Sequence, residues 1–211
     1  MCYAVRPLTD PDFIIQIAIG LLVLLFSLTV HEAAHAWSAD RFGDPTARRL
    51  GRLSLNPVVH IDPIGTLLFP LIALATNLPL IGWAKPVPVN TLALRPHWRQ
   101  KFMVIAAAGP ASNVVLAVIA AVLVRMVPSG PVSAALESAV FINVLLAVFN
   151  MVPVPPLDGG NVLSGMLTGS MADTFDKLRP WGFVILYALM LSGVLWTIVA
   201  PPARLLVSWL L

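Results

Sequence analysis

The chain has 211 residues, 58% hydrophobic and only 11% charged, with a net charge of +3 at pH 7. Soluble domains carry roughly 25% charged residues, so a water-soluble globular fold is excluded. The basic residues are scattered through loops, which excludes the concentrated patch that nucleic acid requires. The single Cys2 excludes an internal disulfide and a cysteine-built zinc site. Any metal is left to His, Asp, Glu or water. A mean hydropathy of +0.88 predicts a polytopic membrane protein, and the length fits one membrane domain over residues 1–211.

The first apolar run, residues 12–37, has no charged residue between Phe13 and Val30. It is long enough to cross a bilayer, which takes about 20 residues. It ends in His31-Glu32-Ala33-Ala34-His35. Two histidines four apart share one helix face, so both imidazoles can hold one metal ion. The glutamate between them suits polarising a water on that metal. Imidazoles and a carboxylate at this depth are costly without a function. Because the run carries this motif, it is not read as a cleavable signal peptide. The basic loop 41–52 either borders a wet gap or stands solvated at the lipid surface. Residues 50–55 (LGRLSL) read as a short strand, and NPVVHIDP, with His60 and Asp62, as a loop.

A second apolar run, residues 64–81, is interrupted by Pro70 and Pro79. It either spans or enters and leaves on one side. The re-entrant reading leaves only Arg6, Arg125 and Arg204 of the 13 basic residues opposite the others. A spanning run would divide them almost evenly. Cytoplasmic loops favour Lys and Arg, so the re-entrant path is expected, with the end of the first helix towards the cytoplasm. Trp83-Ala84-Lys85-Pro86-Val87-Pro88-Val89-Asn90 follows. Pro86 and Pro88 face one edge of an extended chain, leaving the amides of Lys85, Val87 and Val89 on the other. That pattern suits a strand pairing on one side. A proline-rich connector is the plainer alternative.

Further spans are expected at 102–124, at 139–154 running on towards Asp158, and at 181–200, with a short interfacial helix at 201–211. The fold class is therefore all-α and polytopic, with about four to six transmembrane or re-entrant helices and a small membrane-associated β element. A zinc ion needs a third protein ligand and an open position. His60, Asp62, His97, Glu137 and Asp158 are candidates. Asp158 is best placed, because Pro153, Pro155 and Pro156 break the helix before it and a broken helix is tolerated where it is buried or lines a cavity.

HEAAH at 31–35, GPASN at 109–113 and NMVPVPPLDGG at 150–160 together resemble the site-2 protease family of intramembrane zinc metalloproteases. The likeness covers most of residues 12–167, with C-terminal helices at 180–211 beyond it, in a compact form without PDZ-like or CBS-like parts. It implies one Zn2+ per chain held by His31, His35 and Asp158, with Glu32 as general base. It also implies that Asn150, and Asn113 as a further candidate, orient substrate or stabilise the oxyanion. Interhelical hydrogen bonding is the other reading of Asn113. Lys85, Val87 and Val89 would pair with an unwound substrate. The implied activity is peptide hydrolysis in or near transmembrane segments of membrane proteins, in a multi-pass cell-membrane enzyme whose site lies towards the cytoplasmic leaflet, among lipids. A metal-binding or transport protein is the alternative, distinguished by whether Glu32 is needed.

Overall fold

The computed structural model describes residues 11–62, 65, 68 and 85–211. Apart from Gly65 and Leu68, the run at 64–81 lies outside the described residues, as do Cys2, Arg6, Trp83 and Ala84. The expectation that the run is re-entrant falls there.

Helix α1 (Pro11–Arg41) carries the metal motif near its C-terminal end. It stops at a turn in which Gly43 takes a φ of +94°, a conformation only glycine adopts without penalty. A short helix, α2 (Thr46–Arg49), follows. Helix α3 (Trp98–Val124) and helix α4 (Pro131–Asn150) are continuous. Pro131 suits the first turn of α4, where its missing N–H has no partner to lose. Among the described residues, three helices, Ile14–Arg41, Trp98–Val124 and Pro131–Asn150, are apolar and long enough to cross a membrane, with hydropathies of 2.3, 2.1 and 2.0.

These helices pack through small residues. Ala117, Ala120 and Ala121 of α3 meet Val140 and Val144 of α4 in one buried cluster. Lipid tails are as apolar as leucine, so helix association in a bilayer depends on close packing of small side chains. The larger apolar side chains, such as Leu22, Val115 and Phe141, are exposed on the outside, where acyl chains solvate them.

After α4 the chain is irregular to Leu157, as three prolines require. It then forms α5 (Asp158–Met166), α6 (Gly169–Asp176), α7 (Gly182–Leu191) and α8 (Val194–Leu210). Three sequence expectations change here. The third span is displaced, running from 131 to 150 rather than 139 to 154. The expected span at 181–200 is broken at Ser192-Gly193, where the segment Gly169–Leu191 and α8 meet at 77°. Gly193 has a φ of +75° there, which ends α7. Conversely, α8 runs through Pro201 and Pro202, so residues 201–211 are not a separate helix. No strand occurs among the described residues: 50–55 turn at Gly51, and 85–90 are irregular, without ladder pairing.

Candidate metal centre

His31 and His35 lie one turn apart on α1 and are both buried. Their Nε2 atoms are 3.1 Å apart. Asp158, in the first turn of α5, brings Oδ2 to 3.1 Å from His31 Nε2 and 3.4 Å from His35 Nε2. This is the one cluster of three His, Cys, Asp or Glu ligand atoms among the described residues. Donors held about 2.0–2.1 Å from a tetrahedral zinc stand roughly 3.3–3.4 Å from one another. The observed triangle is close to that size.

The protonation pattern makes the case for a cation. His31 Nδ1 is 2.6 Å from Asn113 Oδ1, and His35 Nδ1 is 2.7 Å from the Ile105 carbonyl. Both partners only accept, so each imidazole donates from Nδ1 and leaves Nε2 bare. Asp158 Oδ2 is buried without a hydrogen-bond donor, despite its nearness to both rings. With both imidazoles neutral, three lone pairs therefore converge, an arrangement that a divalent cation relieves. Gly109 keeps the space open: a Cβ there would lie 2.4 Å from His35 Nε2 and 2.6 Å from His31 Nε2.

Behind His31 stands a polar chain within the apolar bundle. Asn113 is fully buried, and its Nδ2 donates to Asn143 Oδ1 at 2.9 Å. Asn143 Nδ2 donates to Ser27 Oγ at 2.9 Å and to the Ala139 carbonyl at 2.9 Å. The Asn113 amide thus bridges helices and orients a histidine at once. Its sequence pattern exposed the first role but not the second. Ser27 and Asn143 were not singled out in the sequence. A lone polar residue in a span is a weak signal that only the packing resolves.

Glu32 is buried beside the cluster, and its Oε2 accepts from the Val87 backbone N–H at 3.1 Å. The segment at 85–90 therefore lies against this carboxylate, although it forms no strand. Lys85 N–H donates to the His60 carbonyl at 2.8 Å. Arg52 Nη2 donates to the Lys85 carbonyl at 2.6 Å and the Pro86 carbonyl at 3.2 Å. At the other end, Asn90 N–H donates to Asp44 Oδ2 at 2.6 Å. Two of the three amides expected to be free, those of Lys85 and Val87, are thus engaged, whereas Val89 N–H has no partner among the described residues. Arg52 is buried rather than solvated at a lipid surface. Asn150 Nδ2 donates to the Leu146 carbonyl in its own helix at 3.0 Å. His60 lies in a loop turn with Nε2 on the Ser54 carbonyl, and Glu137 accepts from Ser133; neither joins the cluster.

Apolar spanning helices around a His-His-Asp cluster and a buried glutamate define a membrane-embedded metallohydrolase. The family model described as "Peptidase family M50" matches residues 125–192. "Putative zinc metalloprotease YwhC" of Bacillus subtilis (strain 168) is 34% identical over 190 residues, covering 83% of this chain and 83% of that protein. "Putative zinc metalloprotease Rip2" of Mycolicibacterium smegmatis is 34% identical over 198 residues, covering 90% of this chain and 72% of the relative. No solved structure matches the chain. The chain belongs to peptidase family M50, the site-2 protease family. It is a multi-pass intramembrane zinc metalloprotease, and the family implies a Zn2+ cofactor and membrane-embedded substrates.

Proposed function

We propose that this chain cleaves peptide bonds in or beside transmembrane segments, with His31, His35 and Asp158 holding zinc and Glu32 moving the proton. The observation that carries this reading is the trio of bare acceptor atoms, 3.1 to 3.4 Å apart, beside a buried carboxylate. Bound there, zinc supplies a Lewis acid that polarises a carbonyl and acidifies water. Glu32 takes the proton from the attacking water and returns it to the leaving amine. Asn113 holds the His31 ring in the tautomer that presents Nε2, so its part is orientation rather than contact with substrate.

A substrate helix hides its backbone in its own hydrogen bonds and must unwind before its carbonyl can be attacked. Residues 85–89 offer it main-chain partners. Val89 N–H is open to pairing, and the amides of Lys85 and Val87 become available by exchanging their present acceptors. Asn150 is the candidate donor to the developing oxyanion, a role that requires it to release Leu146. The site faces the cytoplasmic leaflet, with the basic loops after α1 on the cytoplasmic side.

The test is metal analysis plus cleavage of a single-span substrate in liposomes. Glu32→Gln is expected to keep zinc and lose roughly 10²–10⁴-fold of the rate, while Asp158→Ala loses the metal. A Glu32→Gln enzyme that cleaves normally would eliminate this mechanism and favour a metal-binding or transport role.

A further inference from the structure

We propose that Arg52 is a positioning residue for the hydrolysis, fixing the 85–90 segment so that its Val87 amide lies against Glu32. The inference rests on the reading of Glu32 as the base and of this segment as the substrate's pairing partner.

Arg52 is only 6% exposed and forms no ion pair among the described residues. A buried guanidinium without a counter-ion is costly unless its donors are satisfied. Here they are satisfied by main-chain carbonyls from two separate stretches. Nη1 donates to Val59, and Nη2 donates to Lys85 at 2.6 Å and Pro86 at 3.2 Å. A planar fork can serve three such acceptors, whereas an ammonium, a compact point charge, cannot hold them in the same geometry.

The far end is fixed independently. Asp44, 0% exposed, accepts from Asn90 N–H at 2.6 Å and from Thr46 N–H at 3.0 Å. Two buried charges from the stretch after α1 thus pin the ends of a six-residue strip, and Val87, between them, reaches Glu32 at 3.1 Å. Towards Asn90 the strip is also held by Val89, which packs on Ala39, Leu94 and Ile105, but its Lys85 end has little else. Pro86 and Pro88 have no N–H, and at the Lys85 end the only other main-chain bond among the described residues is Lys85 to His60. Loss of the fork frees that end, and the residue that meets the base shifts with it. Misplacement by about 1 Å can cost up to about a hundredfold in rate.

The experiment uses the full chain reconstituted in liposomes with a single-span substrate, comparing wild type, Arg52→Lys, Val87→Pro, the double variant and Glu32→Gln. Zinc content and kcat/KM are measured for each, with hydrogen exchange at residues 85–90. Arg52→Lys is expected to retain full zinc, lose about tenfold or more in kcat/KM and exchange faster at 85–90. Because both single changes act through one strip, the double variant should be no worse than the poorer single. A wild-type kcat/KM for Arg52→Lys, loss of its zinc, or multiplicative losses in the double variant would each overturn the proposal. If Glu32→Gln cleaves normally, the site reading itself fails. If Glu32→Gln is inactive while Arg52→Lys is normal, only the positioning role fails.

Discussion

At the residue scale, the orientation of the His31 ring is set by residues that stand outside the His31-His35-Asp158 cluster. Asn113 Oδ1 accepts from His31 Nδ1 at 2.6 Å, and Asn143 in turn holds the Asn113 amide at 2.9 Å. Partners of this kind typically govern metal affinity by a factor of about 10–100. Asn113→Ala is therefore expected to weaken zinc binding by about that factor, and Asn143→Ala to weaken it less, since it acts one bond further away. Competition with a chelator measures both, and equal affinities in all three proteins would contradict the chain. Gly109→Ala should be harsher, because its Cβ would meet both Nε2 atoms within 2.6 Å; the expected result is a protein purified without zinc. The motif histidines and Glu32 were legible in the sequence because a helix repeat places them by spacing alone. Asn143, Ser27 and Arg52 were not, because their roles depend on which helix or loop lies opposite, and spacing along one segment carries no such information.

At the element scale, Asp158 reaches the histidines because α5 starts tightly against the irregular turn that ends α4. Gly159 marks the closest approach: a Cβ there would lie 2.3 Å from the Met151 carbonyl oxygen and 2.5 Å from that of Val152. Both obstacles are backbone, so they cannot turn aside as a side chain would. Gly159→Ala should push α5 away from the turn and carry Asp158 with it. Overpacking of this kind costs about 1–3 kcal/mol, and the melting temperature in detergent should fall. The added stability conferred by zinc should shrink as well, which a simple packing defect remote from the cluster would not produce. The proline-rich turn and its aspartate were readable because proline forbids a regular helix. The break at Gly193 was not, since a glycine inside an apolar run is compatible with a continuous helix as well as with a bend. The 85–90 strip shows the opposite limit. Its alternation suggested a strand, but strand formation requires a partner, and a loop carbonyl and a side chain occupy two of the amides instead.

At the scale of the whole molecule, several helices converge on the His31-His35-Asp158 cluster. The last turns of α1, the first half of α3 and the first turn of α5 all contribute to the cluster or its support, through His35, Ile105 and Asp158. The loops that follow α1 are tied to those that precede α3. Lys85 N–H donates to the His60 carbonyl at 2.8 Å, and Asn90 N–H to Asp44 at 2.6 Å. Val89 and Leu94 pack with Ala39 and Ile105. Residues 60 and 85 therefore lie side by side. A helix rises only 1.5 Å per residue, so one traverse of a core about 30 Å thick would leave its two ends on opposite faces. Arg48 and Arg95 are exposed on either side of that stretch. In a Cys2→Ser background, cysteines placed singly at 48 and 95 should both react with an impermeant maleimide only when the cytoplasmic face is open. Labelling of the two from opposite faces would require a spanning segment between them. Labelling of both from outside would keep the re-entrant path and invert the enzyme, moving its water supply, and with it the compartment that receives the cleaved product, to the other face of the membrane.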